Sequence, residues 1–300
     1  YGHGQYVRPQ ENIETYVSRL YDRIGAPVLT DVTIQVDLDA VKPEDGSSIS
    51  RVYPQKAIDL FAGDQLLVVG RYKRFGAARV TIAGALEGAT KTFDFPAEFV
   101  EESNDERFAF VERIWAMRRV GEIIDEIDLH GPNEELVDEL VSLSSKHGIL
   151  TPYTSFLADD QPSGHGVAVR RARAIEMLAE LDDVVGEGAF KQRSLKQQLK
   201  VTAQPSFNSD NRSSGRSGAS ILRDSDSSKV RHVGAKTFYL RGTRWVDSQL
   251  TQPQIEAAVK VERFSDDYFM LARTHADVGK YLSMEGGLVL RIGDQGYLIE

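Results

Sequence analysis

Four acidic side chains lie close together near the end of one predicted helix and are the first candidates for catalysis. They are Glu122, Asp125, Glu126 and Asp128. Paired carboxylates perform general acid–base catalysis when burial separates their pKa values. Glu122 and Glu126 are also i, i+4 neighbours, and the helical pattern places them on a solvated face. We therefore favour a structural role and keep a carboxylate-dependent hydrolase as the alternative.

Histidine spacing argues against a zinc pair on a helix. None of the six histidines lies three or four residues from another, which is the spacing that such a pair requires. They are His3, His130, His147, His165, His232 and His275. His147 closes a predicted helix, and we expect a cationic ring there that interacts favourably with the helix dipole.

The run Asp224-Ser225-Asp226-Ser227-Ser228 resembles a metal-binding loop but departs from both relevant patterns. A calcium loop of the EF-hand type needs a Gly and a closing Glu at fixed offsets, and both are missing. An Asp-x-Ser-x-Ser adhesion site needs Ser where Asp226 stands. The chain also lacks a Gly-x-Ser-x-Gly elbow, a Walker loop and a dinucleotide-binding glycine pattern. The sequence predicts no catalytic, cofactor-binding or metal-binding residues here.

Two motifs are expected to act structurally. Trp115 is predicted to anchor a core. Arg118 or its neighbour Arg119 is expected to tie the same helix to a neighbouring sheet through a carbonyl or carboxylate. The second motif is rich in hydroxyls, which next to a Pro can satisfy unpaired backbone groups where a strand enters a core. Its residues are Thr151, Pro152, Tyr153, Thr154 and Ser155.

Composition limits the partners. The net charge of −9 disfavours a nucleic-acid-binding surface, which needs clustered Lys and Arg. No apolar run is long enough to span a membrane, and residues 1–25 do not resemble a signal peptide. The absence of cysteine excludes disulfides and thiol chemistry. Because the sequence starts at Tyr1 without Met, we interpret it as a fragment.

The first hundred residues are predicted to contain a helix followed by antiparallel strands. Residues 9–25 carry apolar side chains at helical spacing. Val32, Ile34 and Val36 then alternate with polar residues, as in a half-buried strand. Further strands are expected at Gln65–Tyr72, Ala78–Leu86 and Thr90–Phe95. Such strands favour a β-sandwich or barrel, with an irregular meander as the alternative.

Helices dominate the middle of the chain. They are expected over Arg107–Asp128, over Glu134–His147 with an Asn133 cap and a Gly148 stop, and over Ala168–Val185. A short strand is expected at Ile149–Phe156. Residues Thr202–Ser228 have almost no apolar side chains. Because such a segment cannot bury enough apolar surface to offset the entropy lost on ordering, we predict a disordered linker there.

A small α+β unit is predicted at the end of the chain. Ser265 can cap a helix that runs to Arg273. The other expected elements are a hairpin of Lys236–Leu240 and Thr243–Val246, a strand or short helix at Ile255–Glu262, a helix at Ala276–Leu282 and a terminal hairpin of Leu288–Ile292 and Tyr297–Ile299.

Several of these segments together resemble a known family. In order they are Pro27-Val28-Leu29-Thr30-Asp31, Leu60-Phe61-Ala62-Gly63-Asp64-Gln65-Leu66, Gly70-Arg71-Tyr72, Ile114-Trp115-Ala116-Met117-Arg118-Arg119-Val120-Gly121 and Gly148-Ile149-Leu150-Thr151-Pro152-Tyr153-Thr154-Ser155-Phe156. Over about residues 1–160 the chain resembles the region that follows the von Willebrand factor type A domain in proteins that also carry an N-terminal VIT domain. Inter-alpha-trypsin inhibitor heavy chains and bacterial relatives are such proteins. Residues 230–300 resemble the C-terminal extension of bacterial members.

The resemblance implies an α+β chain in five parts. They are the end of a type A domain (residues 1–26), a β-sandwich (27–104), a helical segment (105–200), a linker (201–231) and a C-terminal α+β domain (232–300). The family's metal site, which binds Mg²⁺ or another divalent cation, belongs to the earlier part of the type A domain. No position here matches it. Animal heavy chains also use an Asp-Pro junction for glycosaminoglycan attachment, and this sequence contains none.

The expected function is a non-enzymatic protein-interaction or adhesion scaffold that supports an upstream metal-dependent type A domain. Its partner would be a protein or an extracellular polymer, with the cell envelope or extracellular space favoured over the cytoplasm. An intracellular assembly scaffold and the hydrolase based on residues 122–128 are the alternatives.

Overall fold

The computed structural model describes two compact units of the chain, residues 1–111 and residues 112–300. The described residues are 12–14, 17, 18, 21, 27–39, 49–61, 65–103, 105, 108–158, 167–182, 195, 199, 228–275 and 277–300. Helices and largely antiparallel sheets are both present, so the predicted α+β class is confirmed.

The first unit contains six strands among its described residues. They are β1 (Pro27–Leu38), β2 (Ile49–Tyr53), β3 (Ile58–Phe61), β4 (Val69–Tyr72), β5 (Gly76–Leu86) and β6 (Ala89–Phe99). Four form an antiparallel sheet in the order β3-β1-β5-β6, and β2 pairs with β4. Leu29, Val32 and Ala78 are buried in the larger sheet. The antiparallel, sandwich-like organisation expected here is confirmed.

Strands β5 and β6 form a long hairpin whose turn suits the twist of the sheet. Glu87 and Gly88 both have positive φ, 50° and 80°, as in the primed turns that match right-handed strand twist. The sequence prediction ended β6 at Phe95, but β6 continues to Phe99. Pro96 is tolerated because β6 is the edge strand of this sheet, where a missing N–H costs no ladder bond.

In this unit, the sequence prediction is incomplete at the N-terminal segment and at two short strands. Of the helix predicted over residues 9–25, the described positions 13, 14, 17, 18 and 21 are helical and Asn12 is not, and the other positions lie outside the described residues. The sequence missed β2 and β3, which are too short to show a clear alternation. It also started β4 too early, at Gln65.

Three long helices are described in the middle of the chain. They are α1 (Ala109–His130), α2 (Glu134–His147) and α3 (Val167–Asp182). The predicted ends of α2 are confirmed: Asn133 Oδ1 accepts a hydrogen bond from Leu136 N at 2.8 Å, and Gly148 at φ 60° donates its N–H to Ser144 O. The ion pairs of Arg171 with Glu134 and Asp138 join α3 to α2.

The strand predicted over Ile149–Phe156 is wrong. Residues 152–154 form a turn, and Ser155–Ala158 form a 3-10 helix. The reason is local hydrogen bonding, because Thr154 Oγ1 accepts from Thr151 N at 3.0 Å and donates to Ile149 O at 3.3 Å. Side-chain bonds of this kind compete with a strand ladder for the backbone groups.

The last part of the second unit is a six-stranded mixed sheet with short helices. The strands are β7 (Val230–Val233), β8 (Lys236–Arg241), β9 (Arg244–Asp247), β10 (Val259–Val261), β11 (Gly287–Ile292) and β12 (Gln295–Ile299), in the order β10-β12-β11-β9-β8-β7. The helices are α4 (Gln252–Glu256), α5 (Asp266–Thr274) and α6 (Gly279–Leu282). Phe238, Leu288, Leu290 and Ile299 are fully buried in their common core.

Most C-terminal elements match the sequence predictions. The two hairpins and the Ser265 cap of α5 are confirmed. The segment Ile255–Glu262 is neither one strand nor one helix, since it divides between α4 and β10. The predicted linker overlaps β7, which begins at Val230, and residues 201–227 lie outside the described residues. The five-part division of the chain stays a prediction.

Gly148 brings the end of α2 into close contact with β7 and β8. A Cβ built at this position would lie 2.6 Å from His232 Cε1, 2.6 Å from Thr237 Cγ2 and 2.9 Å from Val230 Cγ1. The residue also has positive φ, which L side chains rarely adopt. Only glycine satisfies both the backbone conformation and the close approach.

We expect Gly148→Ala to lower the free energy of unfolding by roughly 2–4 kcal/mol, because it adds overpacking to backbone strain. The matched control is Gly131→Ala, at φ 83° with no atom within 4 Å of the added Cβ. This control isolates the cost of an L side chain in the left-handed region, which is roughly 1–2 kcal/mol. Urea denaturation measures both variants, and equal losses would contradict the close contact.

Candidate functional site

The two predicted structural motifs occupy buried positions in the second unit. Trp115 and Arg118 lie on α1 and are each 7% exposed. Thr151 and Thr154 are fully buried, and their Oγ1 atoms lie 2.9 Å apart. Tyr153 is also buried, whereas Pro152 and Ser155 are half-buried. The hydroxyls bind one another and the backbone, which leaves them engaged in the turn that follows α2.

Arg119 ties α1 to another element, and that element is a helix. Its guanidinium donates to Glu139 Oε2 on α2 at 2.6 Å and to Glu122 Oε2 on its own helix at 2.6 Å. Glu126 Oε1 lies 3.5 Å away. These contacts join two helices, and the tie of Arg118 or Arg119 to a sheet stays a prediction. Burial lowers the pKa of its neighbour Arg118.

The acidic cluster is thus largely engaged with one arginine. Glu122 and Glu126 both bind Arg119, and Asp128 is exposed on the last turn of α1. A general acid–base pair needs two carboxylates whose environments hold their pKa values apart. Here Glu122 and Glu126 instead share one guanidinium, which is the geometry of a structural ion-pair cluster.

The end of α2 is capped by side chains from the C-terminal sheet. The last four carbonyls of a helix have no partner inside it. Tyr239 on β8 donates its hydroxyl to Ser144 O at 3.2 Å and Ser145 O at 3.0 Å. Ser248 Oγ donates to Lys146 O at 3.0 Å. These bonds span about a hundred residues of sequence, and together with Gly148 they define the helix–sheet junction.

A third polar contact secures the 3-10 helix to the same sheet. Arg241 on β8 donates from Nη2 to Leu157 O at 2.6 Å, and its guanidinium lies 5.1 Å from the ring centre of Tyr239. Sequence reasoning missed Tyr239, Arg241 and Ser248. Tyr239 and Arg241 lie in a hairpin that the sequence did predict, and Ser248 follows it, but no local pattern shows that these side chains reach a helix.

The junction also encloses a basic, largely desolvated group of side chains. Burial lowers the pKa of His147 to about 4, although Glu112 opposes this shift, and Lys146 and Arg113 reinforce it. Burial, with Arg113 and His147 nearby, lowers the pKa of His232 to about 3. Burial also lowers the pKa of Arg113 to about 10. The expected cationic ring at His147 is therefore wrong at neutral pH, where both imidazoles are uncharged.

One ring nitrogen of His232 has a clear partner, since Nδ1 lies 3.1 Å from Thr237 Oγ1. For Nε2, no hydrogen-bond partner is found within the described part of the chain. The described residues also contain no group of three or more His, Asp or Glu side chains placed to hold a metal ion. No helix among them is long and apolar enough to cross a membrane.

The chain was compared with known proteins at the levels of family, sequence and structure. No protein-family model, no curated protein and no solved structure matches it.

The buried histidines predict a loss of stability in mild acid. Their folded-state pKa values lie below the ordinary value of 6.5, so the unfolded chain binds more protons between about pH 6.5 and pH 4. Stability is therefore present above pH 6.5 and is lost as the pH falls toward 4. We expect each histidine to contribute a slope of up to about 1.4 kcal/mol per pH unit in this range.

Urea denaturation from pH 7 to pH 4 measures this slope. His232→Gln removes one of the two contributions and should flatten the curve. His275→Gln removes an exposed histidine outside the junction and should leave the curve as in the parent chain. Parallel curves for the parent and His232→Gln would show that the buried imidazole does not drive the acid sensitivity.

Proposed function

We propose that this chain is a non-enzymatic interaction scaffold that supports an upstream, metal-dependent type A domain. The observation that carries the proposal is an exposed apolar stripe near the N-terminus. Ile13, Val17 and Tyr21 recur every four residues in helical positions and are 64%, 56% and 76% exposed. Side chains at this spacing form one face of a helix.

An apolar helix face normally packs on a core. Here the face lies within residues 1–26, which the resemblance assigns to the end of a type A domain. We propose that the earlier residues of that domain cover the stripe in the intact protein. Any Mg²⁺ or other divalent cation would then be bound in the earlier part of the domain, and the present chain would position it.

The polar side chains of the second unit support a scaffold over a hydrolase. Glu122 and Glu126 bind Arg119, and the buried hydroxyls of Thr151 and Thr154 bind each other and the backbone. These groups stabilise packing between elements. A scaffold needs such rigidity, whereas a hydrolase needs a carboxylate pair free to exchange protons with a substrate.

The proposed partner is a protein or an extracellular polymer, with the cell envelope or extracellular space as the setting. An intracellular assembly scaffold is the second candidate. Localisation of the intact protein separates the two. Both retain the covered apolar stripe, which is therefore the feature to test first.

Thiol labelling can test the covered stripe, because residues 1–300 contain no cysteine. Val17→Cys places a thiol on the stripe, and Ser18→Cys places a matched thiol on the next, also exposed, position. Each variant is made in the 300-residue chain and in the full translation product of its gene. Mass spectrometry of the peptide then gives the rate of maleimide addition at each site.

We expect Val17→Cys to react at least tenfold more slowly in the full product than in the 300-residue chain, because upstream residues bury it. Ser18→Cys should react at similar rates in both. Equal rates for Val17→Cys in the two proteins would contradict the proposal that an upstream domain covers this helix.

A further inference from the structure

A pocket of about 350 Å³ lies beside the helix–sheet junction, entirely within the second unit. Its walls come from the end of α2, the 3-10 helix, α3, β8, β9 and α4. Ligand pockets in proteins have volumes of roughly 300–1,000 Å³. The cavity is therefore large enough for a small organic ligand or for one residue of a peptide.

Three guanidinium groups make this pocket basic. Arg170 and Arg173 lie one helical turn apart on α3, and Arg241 reaches it from β8. The lining carboxylate, Asp247, is fully buried and is neutralised by Lys236 Nζ at 2.6 Å. The pocket thus carries excess positive charge in a chain whose net charge is −9. Such a charge distribution attracts an anion.

Two buried polar atoms of the lining have no partner in the described structure. They are Nε of Arg170 and Oγ of Ser145. Arg170 Nε can only donate a hydrogen bond, and a serine hydroxyl can donate one. Buried polar groups are nearly always paired in native proteins, so each unpaired group requires an explanation. Because both side chains line the pocket, a rotation of either one would let it donate to an acceptor oxygen bound there.

Part of the remaining wall is apolar, although Gln249, Thr251 and Gln252 also line the pocket. Phe156, Leu157, Val169, Leu250 and Ile255 line the same cavity as the arginines. An inorganic anion would leave this surface in contact with water, whereas a ligand with an apolar group next to its charge would cover it. Guanidinium groups also bind carboxylates through paired N–H donors.

We propose that this pocket binds a carboxylate attached to an apolar group. Arg170 and Arg173 hold the carboxylate, Ser145 donates to it, and Phe156 and Ile255 contact the apolar part. The C-terminal residue of a peptide and a free amphipathic carboxylic acid share this chemistry. Binding here depends on described residues of the second unit alone, so it does not require the upstream domain of the proposed scaffold.

The test is a titration of the 300-residue chain with N-acetylphenylalanine, followed by two-dimensional amide NMR. We expect saturable shifts at residues of α3 and β8. N-acetylphenylalanine amide, which has the same apolar group without the charge, should bind at least tenfold more weakly. Inorganic phosphate should also bind more weakly than N-acetylphenylalanine, because it leaves the apolar wall uncovered.

Matched variants test the arginines. Arg170→Gln should weaken binding at least tenfold. Arg231→Gln removes the same charge from an exposed position on β7, outside the pocket lining, and should change binding less than twofold. N-acetyl-Ala-Ala-Phe with a free carboxylate tells the two possible ligands apart. If it binds more tightly than N-acetylphenylalanine, the ligand is the C-terminus of a peptide. If it binds equally or more weakly, the ligand is a free carboxylic acid.

Two results would overturn the proposal. One is equal binding of N-acetylphenylalanine and its amide to the parent chain, a comparison that does not depend on any variant folding. The other is the absence of saturable shifts with N-acetylphenylalanine up to the concentration at which phosphate binds. Neither result would bear on the covered N-terminal stripe.

Discussion

The second unit depends on how the end of α2 is capped. A helix leaves its last carbonyls unpaired, and leaving such groups buried without partners costs free energy. Here Gly148 donates its N–H to Ser144 O, and further donors come from the C-terminal part of the chain. Tyr239 donates to Ser144 O and Ser145 O, and Ser248 donates to Lys146 O. The sheet can approach because Gly148 has no side chain. The helices and the C-terminal sheet are thereby held as one body.

This constraint also sets the surroundings of the candidate polar residues. The junction excludes water from His147 and His232, which leaves both rings neutral near pH 7. On the other side of α2, Glu139 binds Arg119 and fixes α1. The polar groups therefore connect α1, α2 and the sheet, and the surfaces that we propose for partners are the N-terminal apolar stripe and the basic pocket.

Local sequence signals predicted the elements whose ends are set locally. Asn133 and Gly148 fixed both ends of α2, and Ser265 fixed the start of α5, because caps act within one turn. The strand expected at Ile149–Phe156 failed because two threonine side chains, three residues apart, favour a turn over an extended chain. The parallel pairs β9–β11 and β10–β12 join strands distant in sequence, so no local pattern shows them.

The contacts of the candidate site were harder to predict than the elements of the fold, because they also join residues that are distant in sequence. Trp115 and the Thr151–Ser155 motif were recognisable from residue types, but Tyr239 contacts α2 across about 95 positions. Arg170 and Arg241 likewise share a pocket although they are far apart in sequence. Long-range contacts of this kind are set by tertiary packing. The burial that shifts the pKa of His232 arises only after the sheet docks on α2.

Native-state hydrogen exchange tests most directly whether the helical segment and the C-terminal sheet unfold together. Amides of α2 and of β11 should exchange with opening free energies equal to within about 0.5 kcal/mol and with the same denaturant dependence. The sheet would open alone if the opening free energy of β11 were lower than that of α2 by about 1.4 kcal/mol or more, which is a tenfold difference in the open population. That result would contradict the single unit held by the capped end of α2.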